Sequence, residues 1–329
     1  MFTRRDGSEV LSALDVDSGV KRWRSSYAAP YQTSQPAAAH GAGPKATPLF
    51  HNGRLFTLGI SGIATAYEAS TGKRLWQTAA PAEPPYYGAA SSPIGVGAIV
   101  MVNPGDYGPL TAFDAATGAI KWTAGKGGFF ASPIVVTLDG VRQVVAVTQG
   151  AVIGVSLPDG AILWEVQWGG GNGGPTPVVA GHVVIVSGSD RGTVAFRPRK
   201  RGDRWTTQTV WETKEVSMYL STPVVIDDTL FGFSARNSGQ FFALDIRTGK
   251  TLWLGPPREA ANTAVAKSGR LLFFLKDDAQ LIVAAGSRTG FEPAYRYTVA
   301  GAATWADPVL SGNRLFVKDV SSLTLWTVE

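Results

Sequence analysis

The chain has 329 residues, of which 44% are hydrophobic, and it carries 39 glycines and 20 prolines. It contains no cysteine, which excludes disulfides, thiolate metal ligands and cysteine nucleophiles. The net charge of +5 is small for this length, so we expect no nucleic-acid binding, which usually relies on clustered basic residues. Apolar runs are far shorter than the roughly 18 residues of a transmembrane helix, and the first residues lack the apolar core of a secretion signal.

A phrase of the form Ala-x-Asp-x-x-x-Gly-x-x-x-Trp recurs along the chain. Its good copies run from Ala13 to Trp23, Ala66 to Trp76 (with Glu for Asp), Ala112 to Trp122 and Ala243 to Trp253. Weaker copies run from Gly154 to Trp164, from Ala195 to Trp211 with an insertion, and from Ala284 to Tyr295 with one extra residue. Each copy predicts two antiparallel strands joined by a tight turn at the glycine.

A second phrase, a hydroxyl residue followed by proline and an apolar run, alternates with the first. It occurs at Thr47-Pro48, Ser92-Pro93, Ser132-Pro133, Thr176-Pro177 and Thr222-Pro223, with variants at Thr263-Ala264 and Asp307-Pro308. Proline can open a strand because its missing N–H costs no ladder bond there. The copies are roughly 40 to 46 residues apart, and four short strands in that length are typical of one propeller blade.

The repeats predict an all-β chain in the form of an eight-bladed β-propeller of four-stranded antiparallel blades. The segment before the first proline phrase predicts second, third and fourth strands only, and the segment after Asp307 predicts first, second and third strands. The propeller is therefore expected to be incomplete at its closure, and seven blades remain the alternative. We expect one domain over residues 1–329, a monomer, and a natural protein whose missing N-terminal segment supplies the absent strand and a signal sequence.

The tryptophan phrases resemble the tryptophan-docking repeats of the pyrroloquinoline quinone (PQQ) propeller superfamily, over essentially the whole chain. In that superfamily the tryptophan of one blade packs on the neighbouring blade. The resemblance implies this role for Trp23, Trp76, Trp122, Trp164, Trp211 and Trp253. The superfamily includes PQQ-dependent alcohol dehydrogenases, the outer-membrane assembly factor BamB and sensor propellers, and it implies a periplasmic or extracellular location.

The dehydrogenase alternative requires a set of residues that this sequence contains only in part. The quinoprotein enzymes hold a vicinal cysteine pair and bind calcium through a Glu, an Asn and an Asp, with a further Asp as base. This chain has no cysteine, and the only carboxylate at a proline-strand start is Asp307. One acid cannot be both ligand and base. We therefore expect no catalytic residue, no metal site and no cofactor, with PQQ and calcium as the alternative.

Segments that lead from one blade into the next carry aromatic residues in glycine-rich surroundings. In a propeller such loops emerge on one face, where they can form a binding surface for a protein, a small molecule or a carbohydrate. The alternative is that they pack between blades. The candidate site residues are Tyr86, Tyr87, Phe129, Phe130, Trp168, Asn172, Met218, Tyr219, Arg236, Trp305 and Asp307. Turns between second and third strands are expected to add Arg4, Asp106, Asp190 and Asp277.

A run of basic residues falls in the insertion of the fifth repeat, at Arg197, Arg199, Lys200, Arg201 and Arg204. A solvated hairpin tip and a docking patch for an acidic partner both fit this run. Taken together, the sequence predicts a non-enzymatic, BamB-like binding or scaffolding propeller that engages its partner through the loop face. A PQQ-dependent quinoprotein and a carbohydrate- or ligand-binding sensor remain the alternatives.

Overall fold

The computed structural model describes residues 1–106, 108–128, 130–169, 174–189 and 191–328. These residues form thirty β-strands and two short 3-10 helices, Gln35–His40 and Arg236–Ser238. Neither helix in the described part of the chain is long and apolar enough to cross a membrane. The all-β prediction is confirmed.

Consecutive strands pair into eight antiparallel sheets, which we call blades 1 to 8. Blade 1 contains β1 (Phe2–Arg5), β2 (Ser8–Leu14) and β3 (Lys21–Ala28). Blade 2 contains β4 (Leu49–His51), β5 (Arg54–Leu58), β6 (Ala64–Glu68) and β7 (Arg74–Gln77). Blade 3 contains β8 (Ile94–Val96), β9 (Ile99–Val102), β10 (Leu110–Asp114) and β11 (Ile120–Ala124). Blade 4 contains β12 (Ile134–Leu138), β13 (Val141–Thr148), β14 (Ala151–Ser156) and β15 (Ile162–Gln167).

The remaining blades repeat the same order of strands. Blade 5 contains β16 (Val178–Ala180), β17 (Val183–Gly188), β18 (Gly192–Arg201) and β19 (Arg204–Thr213). Blade 6 contains β20 (Val224–Ile226), β21 (Thr229–Ser234), β22 (Gln240–Asp245) and β23 (Thr251–Leu254). Blade 7 contains β24 (Thr263–Ser268), β25 (Leu271–Lys276), β26 (Gln280–Ala285) and β27 (Pro293–Thr298), and blade 8 contains β28 (Val309–Ser311), β29 (Arg314–Lys318) and β30 (Leu323–Thr327). Blades 1 and 8 have three strands and the others four, as the repeat count predicts.

The chain forms two compact units, each with cores between consecutive blades. The first unit comprises residues 1–169 and 199–206, and the second comprises residues 170–198 and 207–329. In the first unit, Phe56 of blade 2 shares a core with Val100 and Phe113 of blade 3. In the second, Phe231 of blade 6 shares a core with Phe274 of blade 7. Within each unit, consecutive sheets therefore bury apolar faces against each other, because one meander cannot cover its own apolar side chains.

The tryptophan phrase joins one blade to the next. The Trp122 indole N–H donates a 2.9 Å hydrogen bond to the backbone oxygen of Leu157, in the last turn of blade 4. Gly160 of the same turn has a φ of +75°, and a Cβ there would lie 2.8 Å from the Trp122 ring. Glycine is thus required for both its left-handed backbone and its lack of a side chain.

Four further tryptophans repeat this connection within their own units. The indole N–H groups and the backbone oxygens that accept from them are Trp23 with Ala69, Trp76 with Ala115, Trp211 with Ile246 and Trp253 with Ser287. The docking role implied by the resemblance is confirmed for these residues and for Trp122.

The acidic residue of the phrase caps the turn that receives the tryptophan. An Asp114 carboxylate oxygen accepts hydrogen bonds of 3.0 Å from the backbone N–H groups of Ala116 and Thr117. These bonds, together with one from the Thr117 hydroxyl, lower the pKa of Asp114. The local backbone is fixed by side-chain capping, as expected for Asp at a tight turn.

Two copies of the phrase depart from the prediction. The Trp164 indole N–H donates a 2.6 Å bond to the Gln143 side chain of its own blade, so this connection is not the one predicted. In blade 7, Tyr295 pairs with Val283 rather than with Ala284, because a bulge follows Val283. The structural counterpart of the phrase's alanine there is Val283, and Tyr295 is 59% exposed.

Candidate functional site

Three of the predicted aromatic residues form a cluster in the first unit, which we call the loop cluster: Tyr86, Tyr87 and Phe130. The rings of Tyr86 and Tyr87 meet edge to face with centroids 4.8 Å apart. The Tyr87 and Phe130 rings meet at 69° with centroids 5.6 Å apart. Loops that precede blades 3 and 4 therefore bring their aromatic side chains together, and Tyr86 remains 52% exposed.

Polar groups from neighbouring loops hold the backbone of the loop cluster. The Tyr31 hydroxyl donates a 3.1 Å bond to the oxygen of Pro85, and the Lys45 ammonium donates a 2.5 Å bond to the oxygen of Tyr87. The Tyr86 N–H donates a 2.7 Å bond to an Asp106 carboxylate oxygen. Three separate anchors thus fix the loop, and only Asp106 among these anchoring side chains was predicted from the sequence.

Burial shapes the ionisation of the groups beneath the loop cluster. Burial lowers the pKa of Lys45. It also lowers the pKa of His40, and the positive charge of the nearby Lys45 lowers it further. Burial also raises the pKa of Tyr31, with a smaller contribution from Asp106. Burial therefore favours the neutral forms of His40 and Tyr31.

Hydroxyls of three proline phrases link the starts of successive blades within a unit. The Thr47 N–H donates a 3.0 Å bond to the Ser92 hydroxyl, and the Ser92 N–H donates a 2.9 Å bond to the Ser132 hydroxyl. In the second unit the Thr176 N–H donates a 3.1 Å bond to the Thr222 hydroxyl. Sequence reasoning identified these hydroxyls as a repeat but missed their role in joining one first strand to the next.

The candidate residues of the second unit differ in accessibility. Tyr219 is 42% exposed, and Arg236 and Asp307 are also exposed. Trp305 is half-buried, whereas Met218 is buried in the core shared by blades 5 and 6. Met218 must therefore be withdrawn as a contact residue, because its side chain is packed in this core and its backbone N–H is bound by the Ser187 hydroxyl.

Trp168 is a second correction, since it was expected to be partly exposed on the rim. Its N–H donates a 2.7 Å bond to the oxygen of Gly150, which continues the β14–β15 pairing, and the residue is only 7% exposed. At this burial the indole is not available as an exposed rim contact. Phe129, Asn172 and Asp190 lie outside the described residues. Arg4 and Asp277 are half-buried.

A shallow cavity beside Arg236 was not predicted. It has a volume of about 370 Å³ and is lined by Ala235, Ser238, Gly239, Arg258, Ala260 and Ala261. Ser238 and Arg258 have φ values of 60° and 62°, a left-handed conformation that side chains rarely adopt. A non-glycine residue in this conformation gives no sequence signal, which is why the cavity was missed.

The chain's donors do not fit the calcium that the quinoprotein alternative requires. Calcium in proteins takes six to eight oxygen ligands, several of them carboxylates. Within the described ranges, no three His, Cys, Asp or Glu side chains lie close enough to hold a metal ion. Burial of its carboxyl raises the pKa of Asp307, although the residue as a whole is exposed. A raised pKa disfavours the ionised form that a calcium ligand needs.

Comparison with known proteins decides the family. Residues 7–255 match the family model described as outer membrane protein assembly factor BamB. The chain belongs to this family. The BamB of Moranella endobia is 25% identical over 302 residues, covering 85% of this chain and 74% of the relative. The BamB of Yersinia pestis is 26% identical over 267 residues, covering 74% of this chain and 64% of the relative.

A solved BamB structure confirms the propeller fold. The crystal structure of BamB from Moraxella catarrhalis superimposes with a TM-score of 0.71 at 17% identity, covering 100% of this chain and 94% of that one. At this identity the likeness shows the fold and not the function. The eight-bladed β-propeller of PQQ-like repeats predicted from the sequence is thus confirmed.

Proposed function

We propose that this protein is a periplasmic scaffold, that it acts in outer membrane protein assembly, the process for which its BamB relatives are named, and that it binds a protein partner through the loop cluster. One observation supports this choice of site: Tyr86 is exposed, and three hydrogen bonds to side chains of other loops fix the backbone around it. Family membership supports the proposed process, and the exposed tyrosine of the loop cluster supports the proposed contact surface.

The loop cluster has the properties of a protein-binding anchor. Tyrosine is enriched where interfaces carry most of their binding energy, because its ring buries a large area and its hydroxyl forms hydrogen bonds. The bonds from Tyr31, Lys45 and the Tyr86 N–H fix the loop before a partner arrives. A fixed loop loses little conformational entropy on binding, which favours affinity.

The ring geometry favours a protein partner over a carbohydrate. A sugar ring stacks on a flat, open aromatic face, whereas Tyr86 and Tyr87 meet at 87° and so present an edge against a face. This angular pair matches side chains that insert singly from a protein surface.

Gene replacement in the source organism tests the proposal. Deletion of the gene is expected to lower the amounts of β-barrel proteins in the outer membrane. The Tyr86→Ala variant should fold, because Tyr86 is 52% exposed, and should fail to restore those amounts. The matched control is Phe50→Ala, which removes another exposed aromatic ring, 66% exposed, from the first unit.

Two results would overturn the proposal. One is a deletion strain with unchanged β-barrel proteins, which would remove the assembly role. The other is full restoration by Tyr86→Ala, which would leave the role but move the contact surface elsewhere.

The quinoprotein alternative is tested on the purified protein by adding PQQ with Ca²⁺. We expect no stoichiometric cofactor absorbance and no dye-linked alcohol oxidation, because the cysteine pair and the carboxylate ligands of those enzymes have no counterpart among the described residues. Stoichiometric PQQ binding accompanied by turnover would refute the scaffold.

A further inference from the structure

The hairpin of β18 and β19 is longer than its counterparts and carries a dense positive charge at its end. Each of its strands has ten residues, whereas β22 and β23 of blade 6 have six and four. We call its end, Arg199–Thr206, the basic tip. Arg199, Lys200, Arg201 and Arg204 are all exposed there.

A carboxylate of blade 4 holds the basic tip in place. An Asp139 side-chain oxygen accepts a 2.9 Å hydrogen bond from the Lys200 backbone N–H. Asp139 lies in the β12–β13 turn with a φ of 44°. Because the bond goes to the backbone, it fixes the position of the tip and leaves the Lys200 ammonium free to contact other groups.

The arginines of the tip lie on one face of the hairpin. Side chains alternate along a strand, so Arg199 and Arg201 point to the same face about 7 Å apart. The two-residue turn at Gly202 and Asp203 brings Arg204 opposite Arg201. Like charges opposite each other destabilise a hairpin, so this pair carries a cost in the isolated protein.

No ion pair among the described residues offsets that cost. The salt bridges found among the described residues involve other arginines and lysines, and the acidic residue of the tip itself is Asp203, in the turn. The guanidinium groups of the three arginines therefore face solvent on a hairpin end whose position is fixed, and their N–H groups can donate hydrogen bonds to a partner.

We propose that the basic tip docks an extended acidic segment of a partner protein, with carboxylates at alternate positions. An extended chain also repeats every two residues in about 7 Å, so its alternate carboxylates match the spacing of Arg199 and Arg201. Guanidinium groups bind carboxylates through two parallel hydrogen bonds, a geometry for which arginine is better suited than lysine.

The composition of the tip favours such a segment over an anionic membrane. Surface-binding elements combine basic residues with exposed apolar side chains that enter the lipid. The tip's only large apolar residue is Trp205, which is half-buried, and its other positions are glycine, threonine and charged residues.

Fluorescence anisotropy with a labelled peptide of alternating Glu and Ser tests the docking. We expect saturable binding that weakens as salt rises, and a peptide of the same composition with its glutamates in one block should bind at least about five-fold more weakly. The triple variant Arg199→Ser, Arg201→Ser, Arg204→Ser should bind about ten-fold more weakly, as expected when three exposed charge pairs are lost. The matched control is Lys21→Ser, Lys73→Ser, Lys250→Ser, which removes the same charge from exposed positions outside the tip and should bind like the unaltered protein.

Two substitutions of Asp139 test whether peptide binding depends on the position of the tip or only on the net charge of the protein. Asp139→Asn and Asp139→Gly both raise the net charge by one unit and both tolerate the positive φ, but only Asn keeps an acceptor for the Lys200 N–H. Asp139→Gly should weaken peptide binding, whereas Asp139→Asn should not. Equal tightening by both variants, equal loss in the two triple variants, or binding only to phosphatidylglycerol vesicles and not to the peptide would overturn the proposal.

Discussion

Trp122 and Trp164 occupy the same position of the repeat and make different connections. Trp122 pairs with Ala112 and reaches the next blade, where Leu157 accepts its N–H bond. Trp164 pairs with Gly154, and a Cβ at that glycine would overlap its indole, so the ring lies over its own sheet and bonds to Gln143. In blade 4, therefore, a glycine stands where Trp122 faces alanine, and the Trp164 ring occupies the space of the missing side chain.

The largest expected effect tests the outward docking. Trp122→Ala should lower the free energy of unfolding by about 3–5 kcal/mol, because it removes a large buried ring and leaves a cavity between blades 3 and 4. Trp122 is 7% exposed, whereas Trp326 is 41% exposed and also donates to a backbone oxygen, that of Val299. Trp326→Ala is therefore the control and should cost clearly less in urea unfolding. Equal losses for the two variants would contradict the packing role of Trp122.

A smaller expected effect compares how much the Trp122 and Trp164 indole hydrogen bonds contribute to the free energy of unfolding. Trp122→Phe should cost about 0.5–1.5 kcal/mol, because water can reach the half-buried Leu157 region and replace the lost donor. Trp164→Phe should cost about 1–3 kcal/mol, because Gln143 is fully buried and its amide oxygen would lose its partner. Urea unfolding of both variants checks the order. A greater loss at Trp122 would show that the inward bond contributes less than the outward one.

The smallest expected effect concerns a connection between blades that can ionise. Buried Glu9 of blade 1 accepts a bond from the Tyr27 hydroxyl and a 2.6 Å bond from the Ile60 N–H, in blade 2. Burial raises the pKa of Glu9 above its ordinary value of 4.5, against the opposing effect of these bonds. The folded protein thus keeps this proton to a higher pH than the unfolded chain, so the free energy of unfolding should fall as pH rises from 4.5 through the raised pKa.

Glu9→Gln should reduce this slope, because an amide does not titrate, while Trp122→Phe should leave it unchanged. Urea unfolding at a series of pH values between 4 and 8 measures both. The same slope in Glu9→Gln and in the unaltered protein would assign the pH dependence to other groups, such as Asp307.

The repeats predicted the fold well because residues that mark strand starts and turns recur at the spacing of one blade. Proline at Pro48 or Pro133 marks a strand start, and glycine at Gly72 or Gly118 marks a turn with positive φ. The register of blade 7 escaped the prediction, because the extra residues before Tyr295 can be placed on either side of the bulge and only strand pairing decides between them.

The candidate site was predicted in part. Adjacent aromatics in a loop suggested Tyr86 and Tyr87, but Tyr31 and Lys45 lie more than forty residues earlier in the chain and carry no local signal. The prediction that Trp168 is exposed was wrong, because burial depends on neighbouring residues that the sequence of a single loop does not reveal.

Site-specific photo-crosslinking in cells tests the central claim, that the loop cluster contacts a protein of outer membrane assembly. A photoreactive phenylalanine placed at Tyr86 should give an adduct with one protein, identified by mass spectrometry, whose own depletion lowers the β-barrel proteins of the outer membrane. The same probe at Phe50, which is exposed outside the cluster, should give no such adduct. An absent adduct at Tyr86, or the same adduct from Phe50, would contradict the account.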